Sequence, residues 1–261
     1  GLVTLEGHEL SAEFDDGRLT NVRLRGRPIL CGGAARSSFT IEGSEPQHAT
    51  SAGAFSFEGD RIHGLRSSQM IDGEGTAEAG SIIVDYFFME GYRSLLISIS
   101  CVFPVLEPDI ILDSWSCFEM PIFSFPRGSS VRTESRLLNG EKYNVELSRS
   151  EVDYVLPGNS FCLRNDSHSV FVVLPETERN PLQLLPVRVA REGRRYTVLI
   201  NPGGSYQSAV GSDLSGYAMR MVIALDIQDK SAERYPVIRS DIYGETGLPA
   251  CGRYDSDDVN S

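Results

Sequence analysis

The chain has 261 residues, 41% hydrophobic and 23% charged, with a net charge of −12. That composition supports a packed core and excludes bulk disorder. The acidic balance excludes nucleic acid and anionic lipid as main partners, because both are bound through clustered Lys and Arg.

In chain order, the pattern is one of strands and turns. The chain enters a strand at once, at Gly1-Leu2-Val3-Thr4, with no methionine before it, and is read as a processed or excised fragment of something longer. Residues 9–14 alternate polar with small or apolar side chains, Asp15-Asp16-Gly17 supplies a hairpin turn, and residues 19–24 alternate back. Gly26-Arg27-Pro28 predicts the next turn, and Ile29-Leu30 re-enters the core. The basic cluster Arg18, Arg23, Arg25 and Arg27 alternates with apolar residues and reads as the wet face of a strand.

Three long strands are expected in the middle, over 81–88, 95–103 and 110–118, consecutive and antiparallel at the centre of one sheet. Leu95, Ile97, Ile99, Cys101 and Phe103 share one face of the second. Shorter strands follow over 143–147, 152–156, 170–174, 196–200 and 218–227, separated by Asn-Gly, Pro-Gly and Gly-Gly turns. Residues 176–185 have room for one short helical turn, and Pro175, Pro181 and Pro186 forbid a long helix. About fifteen strands, with turns at intervals of roughly 8–15 residues and no fixed repeat, indicate a large sandwich or barrel. With no linker-like stretch, residues 1–243 are expected to form a single domain, and 244–261 an acidic, loose tail.

No stretch approaches the roughly 18 uncharged apolar residues of a membrane-spanning helix, so no membrane partner is expected. The five cysteines are widely spaced without a C-x-x-C, which argues against zinc or a redox pair. Cys101, Cys117 and Cys162 lie in apolar runs as small buried hydrophobes, so a reducing, cytoplasmic location is the simplest expectation. No phosphate loop, nucleophile elbow or calcium loop occurs, and no metal or cofactor is expected.

The opening run, residues 10–22 (Leu-Ser-Ala-Glu-Phe-Asp-Asp-Gly-Arg-Leu-Thr-Asn-Val), resembles the first hairpin of galactose-mutarotase-like supersandwich domains. The run from 81 to 103, continued by Asp113-Ser114-Trp115-Ser116-Cys117-Phe118-Glu119, resembles the long central strands in the C-terminal β domains of family 38 α-mannosidases and related glycoside hydrolases. The resemblance covers about two thirds of the chain as a strand pattern. It implies an all-β, antiparallel two-sheet supersandwich and a carbohydrate as the partner.

Two functional readings follow from it. In aldose epimerases the fold holds a His general acid and a Glu general base, each within hydrogen-bond reach of the sugar. Asn165-Asp166-Ser167-His168 echoes the family's Asn-His pair, which makes His168 the catalytic candidate. Glu176 and Glu178 stand too near it in sequence to match the late Glu. In multidomain glycoside hydrolases the same fold is an accessory domain packed on a catalytic domain of the same parent chain. The fragment-like start and incomplete acid–base set favour this second reading. A structural or adhesive β-module without a small-molecule site is the third.

For sugar binding, the best local set is Asp113, Trp115 and Glu119. On one regular strand they share a face, and an indole ring stacks on the face of a pyranose. Core packing of Trp115, solvated positions for Asp113 and Glu119, and a solvated turn histidine at 168 are the competing structural readings.

Overall fold

The computed structural model describes residues 1–30, 36–110, 112–124, 131–136, 142–147, 153–156, 160–164, 168–173, 187–192, 195–200, 218–229 and 253–254. Side chains are described at 1–29, 37–110, 162, 168–173 and 222–229. Most of the described residues are in strands and none is helical, so the fold is all-β.

The strands are β1 (Leu2–Glu6), β2 (Leu10–Asp15), β3 (Arg18–Leu24), β4 (Arg27–Leu30), β5 (Arg36–Ile41) and β6 (Gln47–His48). Then come β7 (Thr50–Glu58), β8 (Ile62–Ile71), β9 (Thr76–Glu78), β10 (Gly80–Met89), β11 (Leu95–Val102) and β12 (Val105–Leu106). The second half holds β13 (Leu112–Ser124), β14 (Val131–Arg136), β15 (Lys142–Leu147), β16 (Asp153–Leu156) and β17 (Ser160–Arg164). It ends with β18 (His168–Val173), β19 (Val187–Glu192), β20 (Arg195–Ile200), β21 (Ala218–Asp229) and β22 (Arg253–Tyr254).

Turn chemistry builds the opening meander β1-β2-β3-β4. Asp16 and Gly17 both take positive φ, 49° and 76°, the paired left-handed conformation that matches the twist of a two-residue hairpin. Arg25 and Gly26 repeat it at 49° and 78°, so the second turn lies one residue earlier than the Gly-Arg-Pro reading placed it. Gly17 has a second constraint: a Cβ there would come within 2.7 Å of the Ala54 Cβ on β7.

The largest sheet has ten strands, ordered β15-β14-β17-β18-β21-β11-β10-β8-β7, with β22 on β21. Its centre is the expected β10–β11 pair, in register from Ser81 opposite Val102 to Phe87 opposite Leu96. The third long run departs from the expectation. β13 does not continue beside β11 but crosses to a six-stranded sheet ordered β16-β19-β20-β13-β5-β6. The physical reason is the neighbour that β11 takes instead: all eight of its residues pair with β21. Arg253 and Tyr254 pair with Met219 and Ala218, beyond the stretch of β21 that β18 occupies.

Alternation assigns the two faces of the large sheet. Ile82, Val84, Tyr86 and Phe88 of β10, with Leu95, Ile97, Ile99 and Cys101 of β11, are at most 3% exposed and point to one side. The β1–β4 sheet covers that side. The rings of Phe14 and Tyr86 meet at 4.9 Å, His63 Nε2 lies 2.7 Å from the Glu6 carbonyl oxygen, and Gly7 passes over the Phe88 ring. The six-stranded sheet adjoins this layer where β4 approaches β13.

A chain of charges fastens the meander to the large sheet. Asp226 on β21 is 0% exposed and accepts from Arg93 Nε at 3.1 Å, Gln228 Nε2 at 2.8 Å and the Ile227 N–H at 2.9 Å. Arg93, in the β10–β11 turn, reaches Glu9 at 2.9 Å, and Glu9 accepts from Arg25 Nε at 2.9 Å. Arg25 closes the chain on Asp229 at 3.0 Å. The hydrogen bond from Arg25, with the charges of Arg93 and Arg25 behind it, holds the Glu9 carboxyl below its usual range, against burial. Burial pushes the Asp226 carboxyl up, against the donors that surround it.

Removing the Asp226 carboxylate leaves the buried donors of Gln228 and Ile227 without their acceptor, at a cost of about 1–3 kcal/mol each. Pairs open to solvent such as Glu13–Arg23, at 29% and 33% exposure, are screened by water and contribute little. Asp226→Ala is therefore expected to destabilise the fold several times more than Glu13→Ala in urea denaturation. Equal costs would refute the clamp.

Candidate functional site

The face of the large sheet turned away from the β1–β4 meander carries the other half of each strand. On β10 these are Ser81, Ile83, Asp85, Phe87 and Met89. Asp85 is the only charge in that run, and the register places it directly opposite Arg66 on β8 and Ser98 on β11. Arg66 in turn stands opposite Phe55 on the edge strand β7. Four neighbouring strands thus bring Phe55, Arg66, Asp85 and Ser98 into one transverse row.

The pairing inside the row is a two-bond fork. Arg66 Nε donates to Asp85 Oδ1 and its terminal nitrogen donates to Oδ2, both at 2.7 Å. Asp85 is 13% exposed and Arg66 42%, so the pair lies open on one side. Two of the five guanidinium N–H groups are used, and among the described residues the others have no protein acceptor. The guanidinium carbon is 5.9 Å from the centroid of the Phe55 ring, and Phe55 is 56% exposed, the larger of two exposed apolar side chains on this face among the described residues. The hydrogen bond to Asp85 raises the Arg66 pKa, against burial.

Beyond the row the face closes. Phe87, Met89, Leu96, Phe171, Val173, Val222 and Ala224 form a buried apolar cluster with Cys162, and Phe57, Ile62 and Tyr92 pack on its edge. Gly64 makes this possible, because a Cβ there would collide with the Phe57 ring and the Tyr86 carbonyl oxygen. The fork therefore sits at the border between an apolar floor and an open half of the face.

The sequence singled out other residues. Trp115 falls on β13 opposite Phe39, and Glu119 opposite Arg36 and Leu199. Register breaks occur on either side of the 114–116 stretch, so strict alternation from 113 to 119 fails against β5. The side chains of Asp113, Trp115 and Glu119 lie outside the described residues, as do Asn165 to Ser167, Glu176 and Glu178.

His168 is described, and it opens β18 opposite Asp229 with 9% exposure, in place of a solvated turn. Burial, aided by the charge of Arg27 and opposed by Asp229, lowers its pKa. Cys101 and Cys162 are buried, and burial raises the Cys101 thiol to about 12, far from reactivity. Among the described residues no cluster of His, Cys, Asp or Glu has the arrangement of a metal site.

Sequence reasoning missed Phe55, Arg66 and Asp85. The available signal was Asp85 itself, a lone carboxylate interrupting an apolar strand, which demands a cationic partner across the sheet.

No protein-family model and no curated protein matches this chain. Solved structures do match. A galactose mutarotase-like protein from Lactobacillus casei aligns over 87% of this chain and 100% of its own, with TM-score 0.54 and 10% identity. An α-N-acetylgalactosaminidase from Bifidobacterium bifidum aligns over 87% of this chain but 36% of its own, with TM-score 0.54 and 15% identity. A GH36 α-galactosidase from Geobacillus stearothermophilus aligns over 88% and 41%, with TM-score 0.57 and 8% identity. The chain has the galactose-mutarotase-like fold, an all-β antiparallel supersandwich. A particular likeness to family 38 is not shown by these structures, since strand alternation is shared by many sandwiches.

His168 generates a pH prediction. The unfolded imidazole binds its proton near pH 6.5, and the folded one only at lower pH. Its contribution is therefore complete above that value and is lost as pH falls through the folded pKa. The melting temperature is expected to drop as pH falls from about 6.5 toward the lower folded pKa, and His168→Asn to flatten that drop. An unchanged slope in the variant would refute the assignment.

Proposed function

We propose that this chain is a carbohydrate-binding supersandwich domain that works beside the catalytic domain of a glycoside hydrolase. The observation that carries the reading is the open Arg66–Asp85 fork flanked by the exposed ring of Phe55. A pyranose offers an apolar C–H face and a ring of hydroxyls. An exposed phenyl takes the first, and a guanidinium–carboxylate pair donates to one hydroxyl and accepts from its neighbour. The accessory role is supported by the alignment over 36% and 41% of two hydrolase chains that are much longer than the aligned region.

Calorimetric titration with neutral mono- and oligosaccharides tests the reading. Phe55→Ala and Arg66→Ala are each expected to weaken binding by about tenfold, or about 1.4 kcal/mol. Absence of binding by the unaltered chain, or binding that ignores both substitutions, would reject it.

A second reading is a stand-alone aldose epimerase-like enzyme. It is favoured by one observation, the match along the whole length of the Lactobacillus protein. Exchange NMR of α- and β-hexoses separates the two: interconversion above the buffer rate, abolished in His168→Asn, would select the enzyme, and a buffer rate would remove it.

A further inference from the structure

The open half of the same face continues past the fork in two more rows. Two residues along each strand, Gly53 stands opposite Ser68, and Ser68 opposite Ile83. Two residues further, Met70 stands opposite Ser81. Ser68 and Ile83 are half-buried, Ser81 is exposed and Met70 is 44% exposed. Rows two residues apart are separated by about 7 Å, so the three rows extend for about 14 Å along the strands.

We infer that this strip binds a linear, neutral oligosaccharide, one sugar residue to each row, and not a single sugar. The inference rests on the carbohydrate reading above and specifies its ligand. Three features point to it. The apolar side chains are at the two ends, Phe55 in the first row and Met70 in the third, so hydrophobic contact is offered to more than one ring. Between them Gly53 carries no side chain, and a Cβ there would touch nothing within 4 Å, so no wall separates the ends. Finally, the described side chains of the strip carry no net charge: Arg66 and Asp85 pair, and Phe55, Ser68, Met70, Ser81 and Ile83 are uncharged, on a chain whose net charge is −12.

The test is titration of the full chain with three ladders: glucose and maltotriose, galactose and stachyose, and mannose and mannotriose. In at least one ladder the oligosaccharide is expected to bind at least tenfold more tightly than its monosaccharide. Met70→Ala is expected to weaken the oligosaccharide about fivefold and leave the monosaccharide unchanged, while Phe55→Ala weakens both. Met70 is exposed, so an unaltered melting curve confirms that the variant is folded. Equal affinity within every ladder, or indifference to Met70→Ala, overturns the inference while the carbohydrate reading stands. No binding by any sugar overturns both. Light scattering that reports a dimer, dissociated by Met70→Ala, would assign the strip to a second copy of the chain and overturn the inference too.

Discussion

The contact between Phe14 and Tyr86 decides which side of the ten-stranded sheet is closed, and the rest of the molecule follows from that choice. Side chains alternate along a strand, so burying Tyr86 beneath the meander turns Asp85 and Phe87 the opposite way. A one-residue slip of β10 would drive Asp85 into the apolar interior and expose Tyr86, so the register is specified by both faces at once. The same alternation, carried through β8 and β7, places Arg66 and Phe55 beside Asp85. The candidate site is thus a by-product of closing the other face.

Two aspartates show how burial separates scaffold from site. Asp226 and Asp85 both sit on strands of the same sheet and both pair with an arginine. Asp226 has no exposed surface and both its oxygens are taken by protein donors, so it can only hold the layers together. Asp85 keeps some exposure and shares its fork with a guanidinium whose remaining donors are free among the described residues. The first has no surface for a ligand to reach, whereas at the second a ligand can compete with water for the remaining guanidinium N–H groups. Recognition chemistry therefore belongs to the second, where little reorganisation precedes contact.

What was legible in the sequence was local. The Asp16-Gly17 turn, the alternation of residues 81–88 and the apolar run of β11 each depend on neighbours within a few positions, and each appears as expected. The path of β13 was not legible, because whether a third strand pairs with the second depends on a competitor, β21, more than a hundred residues downstream. His168 followed the same logic: a turn-like triplet preceded it, yet pairing with β21 drew it into a strand. The Arg66–Asp85 pair joins two strands at a register that no turn signal encodes. Its one trace was the cost of leaving a carboxylate unpaired in an apolar run.

The fold likeness at 8–15% identity has a physical explanation that also limits what it conveys. A sandwich tolerates almost any substitution that preserves volume and alternation, so architecture persists after most residues have changed. A sugar site has no such tolerance, since it depends on particular donors, acceptors and a ring at fixed positions. Two chains can therefore share every layer and differ in what they bind. The activity of this chain turns on whether Phe55, Arg66 and Asp85 meet a ligand together, and their shared row, set by the register of three adjacent strands, is what makes that meeting geometrically possible.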